Sequence, residues 1–214
     1  MSAPGFEQYL SQVASRLRHD LKGGLITLKM GLESLDDEEA LKPLLLEKTE
    51  ELVDLSDKLV LLLRMGELRK ASINPRALLQ QVRGHIEDRF PTLQVSLDLD
   101  EDLANWDLDP DALTYAFLEL AQNATLAGAN TLFISSRQED GWGLVRVGND
   151  GSAVAEDVEP EYLLQLGHSL WQRSGLGFSV VDGCVRGHGG KFVLELDDQR
   201  RLCSSMQFGL EATA

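Results

Sequence analysis

His19 is followed directly by a carboxylate, Asp20, in the stretch Ser15-Arg16-Leu17-Arg18-His19-Asp20-Leu21-Lys22. Apolar residues recur around it at Val13, Leu17, Leu21, Leu25, Leu28, Leu32 and Leu35, the spacing of one helix face. His19 falls about 175° from the centre of that stripe, on the water side. An exposed imidazole beside an acid is either an ordinary solvated histidine or a nucleophile and phosphate carrier. Glu119 and Asn123 are four residues apart and share a helix face. Such a pair is either a polar surface or a holder of a metal–water cluster and a nucleophile. The run Val145 to Val154 reads as a strand entering a tight turn at Asn149, Asp150 and Gly151. That turn closes a hairpin, or it lies beside a nucleotide base. Ser174-Gly175-Leu176-Gly177 precedes an apolar helical run. Glycines there leave backbone N–H groups free to face phosphate oxygens, although glycines also serve helix–sheet packing.

The elements that carry these residues fall into two parts. A first helix is expected over residues 6–35, with Gly23 and Gly24 inside it. Each costs about 1 kcal/mol relative to alanine and admits a bend or a close approach. Asp36 to Glu39 reads as a turn and an acidic helix start, leading a second helix to about Arg69. Leu45, Leu52 and Leu59 are seven apart, as are Leu55 and Leu62, which is a coiled-coil-like seam interrupted by Lys48. Two such helices form an antiparallel hairpin, and two hairpins cover their seams as a four-helix bundle. A homodimer through residues 1–70 is therefore expected; the alternative is packing of the hairpin on its own chain.

Composition changes after Lys70. Residues 72–75 read as a strand end and a helix start at Pro75, residues 77–89 as a helix, and residues 93–99 as an alternating strand. Asp109-Pro110-Asp111 opens a helix to about Ala127, followed by strands over 131–136 and 143–147. Residues 155–174 are irregular or short-helical, residues 176–186 helical, and residues 191–196 and 205–210 closing strands. The expected fold class is α+β. A helical hairpin (1–70) precedes a two-layer α/β sandwich (71–214) with helices on one face of a mixed sheet.

With 214 residues, 43% hydrophobic and 26% charged, the composition is that of a soluble globular protein. A net charge of −15 opposes binding to nucleic acid or to an anionic membrane surface, so neither is expected as a partner. Cys184 and Cys203 form no metal pattern and no disulfide framework, which points to a reducing compartment. No apolar run reaches the roughly 18 residues of a membrane span, and the N-terminus is no signal peptide. A cytoplasmic location follows as the expectation.

The order of these parts resembles the transmitter core of a sensor histidine kinase. His-Asp on a hairpin precedes Glu-x-x-x-Asn on a helix, Asn-Asp-Gly after a strand, Gly-Leu-Gly before a helix, and His188-Gly189-Gly190 before a strand. The resemblance implies a dimerisation and histidine-phosphotransfer hairpin, then an ATP-binding domain of the histidine kinase and gyrase type. It implies ATP and Mg²⁺ as ligands, a response-regulator receiver domain as partner, and a signal delivered from another protein or segment. His19 matches the phosphoacceptor and Asp20 the acid that assists it. Asn123 matches the Mg²⁺-linked asparagine, and Glu119 an acid found four residues before it. Asn149 stands where the family has the aspartate that recognises adenine, followed by Asp150, Gly151 and, in place of a glycine, Ala153. Ser174, Gly175, Leu176 and Gly177 match the second glycine box, in which Arg173 replaces the first glycine. His188-Gly189-Gly190 matches a structural turn. Gly23 and Gly24 replace a polar residue and a proline, and Leu126 stands where a basic residue is common. These departures leave open a related phosphotransferase, whose decayed ATP domain is a scaffold while its histidine relays phosphate between receiver domains.

Overall fold

The structure, a computed structural model, describes residues 21–31, 38–64, 68–164 and 175–210. The chain divides into two compact units, Met1–Arg64 and Met65–Ala214. In the first, residues 21–31 form helix α1 and Glu38–Arg64 form α2. A Cβ built on Gly24 would stand 2.7 Å from Leu52 Cδ2, and one on Gly31 2.8 Å from Leu45 Cδ2. Contacts that advance seven residues on α1 and recede seven on α2 define an antiparallel pair. Gly24 is thus the close-approach position, whereas nothing lies within 4 Å of a Cβ on Gly23. Lys48 does not break α2; its ammonium is 2.9 Å from Glu51.

The second unit is a mixed five-stranded sheet with helices on one face. Strand β1 (Ala71–Ile73) pairs antiparallel with β3 (Trp106–Leu108) outside the main sheet. Helix α3 (Pro75–Arg89) begins where the Asn74 side chain accepts from the Ala77 amide at 3.2 Å and Pro75 takes the first helical position. Helix α4 (Pro110–Leu126) repeats the device. Asp109 Oδ1 accepts from the Ala112 amide at 3.0 Å. The main sheet has the order β2-β4-β5-β7-β6. Its strands are β2 (Gln94–Leu99), β4 (Thr131–Glu139), β5 (Trp142–Asn149), β6 (Lys191–Leu196) and β7 (Leu202–Gly209). Only the β2–β4 pair is parallel. Between β4 and β5, Asp140 and Gly141 both have positive φ, the two-residue turn that matches strand twist.

Alternation sets which strand residues face the helices. Leu132 and Ile134 of β4, Val145 and Val147 of β5, Met206 and Phe208 of β7 and Phe192 and Leu194 of β6 are all buried. Against them lie Val82 and Ile86 of α3, Phe117 and Leu120 of α4, and Val180, Val181 and Val185 of α6 (Gly177–Gly187). Helix α4 packs beside both α3 and α6. The short helix α5 (Pro160–Leu163) lies in the segment expected to be irregular or short-helical.

Candidate functional site

Helix α4 places Glu119, buried, and Asn123, half-buried, on one face, as their spacing requires. The first residue of α6 closes over them. A Cβ on Gly177 would stand 2.9 Å from Glu119 Oε2, 3.6 Å from Asn123 Nδ2 and 3.8 Å from Asn123 Oδ1. Glycine is the residue that fits there. Just before it Gly175 has φ +66°, the left-handed region that glycine enters without a Cβ penalty, and Leu176 is fully buried as an anchor. The first intrahelical bond of α6 runs from Val180 N to Leu176 O at 2.9 Å. The amides of Gly177, Phe178 and Ser179 come before it, so this helix start can receive an anion. Asn123 Nδ2 is buried with no hydrogen-bond partner among the described residues. An orphaned buried amide of this kind is normally satisfied by water, an ion or a ligand.

Beside Asn123 opens a cleft walled by Leu120, Leu132, Val147, Val154, Phe178 and Leu202. Asn123, Asn149 and Ser152 are among its polar residues. A mostly apolar slot with a few polar groups suits a flat heterocycle. The Asn149 amide is oriented by two bonds. Its Oδ1 accepts from the Gly151 amide at 2.9 Å and its Nδ2 donates to Leu202 O at 3.4 Å. Gly151 is confined: a Cβ there would stand 2.8 Å from Ala127 O and 2.9 Å from Ala127 Cβ.

Other expected site residues lie elsewhere. The Asp150 carboxylate turns to the amides of Asn130 and Thr131, each at 2.8 Å. Partial desolvation opposes its ionisation, but the Thr131 and Asn130 amides outweigh that and hold it below the usual carboxylate range. It caps the start of β4, outside the cleft lining. Ala153 is exposed and lies outside that lining, between two residues that belong to it. His19, Asp20 and Ser174 lie outside the described residues. Conversely, Val154, Phe178, Leu202 and Cys203 line the cleft although spacing alone did not single them out. Phe178 was signalled by its place next to Gly177. Leu202 and Cys203 reach the site only through the pairing of β7 with β5. Burial, the largest influence, pushes the Cys203 thiol up, which suits a wall residue rather than a nucleophile.

His188 does structural work behind the site. Its Nε2 accepts from the Asp109 amide at 2.8 Å and its Nδ1 lies 2.8 Å from Cys184 O, so Nδ1 carries the proton. The ring joins the end of α6 to the cap of α4, the two helices that bring Gly177 to Asn123. Gly189 has φ +77°, and a Cβ on Gly190 would collide with Gln207 O, which accounts for the glycine pair.

Residues 108–211 match the family described as histidine kinase-, DNA gyrase B-, and HSP90-like ATPase. No curated protein matches the sequence. Among solved structures, the histidine kinase AdeS of Acinetobacter baumannii is similar over 91% of this chain and 98% of its own, at 19% identity and a TM-score of 0.70. ThkA, a histidine kinase solved in complex with the response regulator protein TrrA, is similar over 95% of this chain and 63% of its own. That likeness has 19% identity and a TM-score of 0.72. Full-length ShkA in complex with AMPPNP is similar over 95% of this chain and 47% of its own, at 18% identity and a TM-score of 0.67. The matched residues lie within the C-terminal unit. The structural likenesses, at 18–19% identity, show that the chain shares the fold of these proteins.

Proposed function

We propose that the chain is a histidine kinase core that binds Mg-ATP and phosphorylates His19. The observation that carries this reading is the seat of Gly177 against Glu119 and Asn123, beside an apolar cleft and an orphaned amide. The heterocycle lies in the cleft by Asn149 and Gly151, and the phosphates lie at Gly175, Leu176 and Gly177, where the first amides of α6 receive them. Asn123 would hold Mg²⁺ through its amide oxygen. When bound, the ion supplies neutralisation of the phosphate charge. The imidazole of His19 takes the γ-phosphoryl group as its bond to ADP breaks, and Asp20 or Glu119 takes the imidazole proton. Because phosphoryl transfer needs little beyond positioning and charge stabilisation, a glycine-lined helix start and one amide suit the task.

The phosphoryl group then passes to an aspartate on a response-regulator receiver domain, as the ThkA complex with TrrA encourages. The hairpin of residues 1–70 forms a homodimeric four-helix bundle, and the location is cytoplasmic. Among the described residues, no helix is long and apolar enough to cross a membrane. A second reading is favoured by Asn149, a neutral amide already engaged with Gly151 and Leu202. In that reading the ATP domain is a scaffold and His19 relays phosphate between receiver domains.

Incubation with γ-labelled ATP and Mg²⁺, alongside His19→Gln, separates the two. Acid-labile, base-stable label on the wild type and none on the variant is expected of the kinase. Absence of label together with absence of nucleotide binding by calorimetry selects the relay. Label that persists in His19→Gln moves the acceptor to another histidine.

A further inference from the structure

Arg200 occupies the turn between β6 and β7 with φ +57°. Glycine would adopt that backbone without cost, whereas arginine bears strain unless its surroundings over-determine it. They do. The Asp197 carboxylate accepts from the amides of Gln199 at 2.9 Å and Arg201 at 2.8 Å, and it pairs with the Arg201 guanidinium at 2.7 Å. Arg200 N donates to Asp197 O at 2.9 Å. The turn so fixed aims the Arg200 side chain at the chain beyond β5. Its Nε donates to Val154 O at 3.3 Å, and its Nη2 reaches Ala155 O at 2.9 Å, Glu156 O at 3.4 Å and Val158 O at 3.5 Å. Val154 N returns a bond to Arg200 O at 2.8 Å.

The consequence concerns the cleft. Val154 and Leu202 are both in its wall, one bonded to Arg200 and the other two residues after it. Irregular backbone needs partners for its carbonyls, and a planar guanidinium with several donors can serve a cluster of them at once. We infer that Arg200 is a positioning residue for the nucleotide: it holds residues 154–158 to the β6–β7 turn, so that the cleft is formed before the ligand arrives. This inference rests on the nucleotide-binding reading of the cleft. Preformed walls lower the ordering required on binding, so their loss weakens affinity without touching the phosphate end of the site.

Arg200→Gly is the discriminating variant, because it removes the guanidinium and relieves the left-handed φ together. A residue with a merely structural role would reveal itself through lower stability or a lower fraction of binding-competent protein. Here calorimetry with AMPPNP and Mg²⁺ on the full chain is expected to show Kd raised about tenfold at unchanged stoichiometry. The melting temperature is expected to stay within a few degrees, since the relief of φ offsets the lost bonds. Arg200→Lys, with one ammonium in place of the fork, is expected to fall between the two and covers the case in which the glycine variant does not fold. Wild-type affinity in the folded glycine variant, or in the lysine variant if that alone folds, overturns the inference. A wild-type protein that binds no AMPPNP overturns the nucleotide reading itself, and the inference with it.

Discussion

A methyl group on Gly177 would press on Glu119 Oε2 while only touching the Asn123 amide, so the absence of a side chain at the start of α6 lets the two helices meet closely at Glu119. His188 keeps those helices in place, and it does so only as a neutral ring. Burial holds its imidazole below the ordinary value of 6.5, assisted by Lys70; the Cys184 carbonyl, Asp109 and Asp107 oppose this without reversing it. Protonation at Nε2 would also set N–H against the Asp109 N–H. The unfolded chain therefore takes up the proton at higher pH than the folded one. The stability that His188 contributes is whole above about pH 6.5 and declines as pH falls through the lowered folded value. Melting temperatures of the wild type and His188→Leu from pH 8 to pH 5 test this. The variant is expected to lose about 1–3 kcal/mol near pH 8, because the Asp109 amide and Cys184 carbonyl lose their partner. The gap between the two proteins is expected to narrow toward pH 5. A gap that is constant, or that widens in acid, would remove His188 as the group responsible.

Glycines also govern the pairing of α1 with α2. Gly23 and Gly24 are neighbours with opposite surroundings: open space at one, Leu52 at 2.7 Å from the other. Alanine is favoured over glycine in a helix interior by about 1 kcal/mol, so Gly23→Ala is expected to stabilise the hairpin by that order. Gly24→Ala gains the same backbone term but must displace Leu52, and its net effect is expected to be smaller or reversed. Thermal unfolding of the two variants measures the difference, and equal stabilisation would mean that Leu52 does not seat against Gly24. The heptad spacing of Leu45 and Leu52 was legible in the sequence, yet which of the two glycines met a leucine was not, because that depends on the register between the helices. The same division holds in the second unit. Asn74-Pro75 and Asp109-Pro110 announced helix starts through a capping side chain and a preset φ, which act locally. Strand β6 was readable from alternation alone. Strand β3 alternates over only three residues, buried, exposed, buried, too few to stand out in sequence, and it is paired with β1. Gly-Leu-Gly and Glu-x-x-x-Asn were visible as motifs, whereas the walls formed by Val154 and Leu202 come from sheet pairing and from a turn more than 40 residues away. Asp150 illustrates a related limit of spacing: a turn residue next to a site looks the same in sequence whether its carboxylate faces a ligand or, as here, two amides at the start of β4.

At the scale of the whole molecule, the question is what covers the hairpin. Leu25 follows Gly24, Leu46 follows Leu45 and Val53 follows Leu52, so each lies one residue beyond a contact between α1 and α2. One residue is about 100° around a helix, and in an antiparallel pair the same step on both helices leads to the same side. That side therefore presents three apolar residues, exposed by 59%, 55% and 56%. Scattered exposed leucines are ordinary, but an aligned row along a hairpin is the pattern of an interface. A second copy of the same hairpin would cover it with like residues, which gives the expected four-helix bundle. The charge of the chain sets a condition on this association. Two copies of −15 repel, and the repulsion is screened by salt while burial of leucine and valine is not. Dimerisation is thus expected to strengthen as salt rises from about 0.01 M to about 0.15 M, the range over which the screening length falls from about 30 Å to about 8 Å. Light scattering should give twice the 23.6 kDa of the chain at the higher salt. Leu25→Glu with Val53→Glu should return it to one chain while AMPPNP binding in the separate C-terminal unit is retained. A wild-type protein that is monomeric at both salts, or a double variant that stays dimeric, would move the interface off this row; loss of nucleotide binding in a folded, monomeric double variant would show that the two units do not work independently.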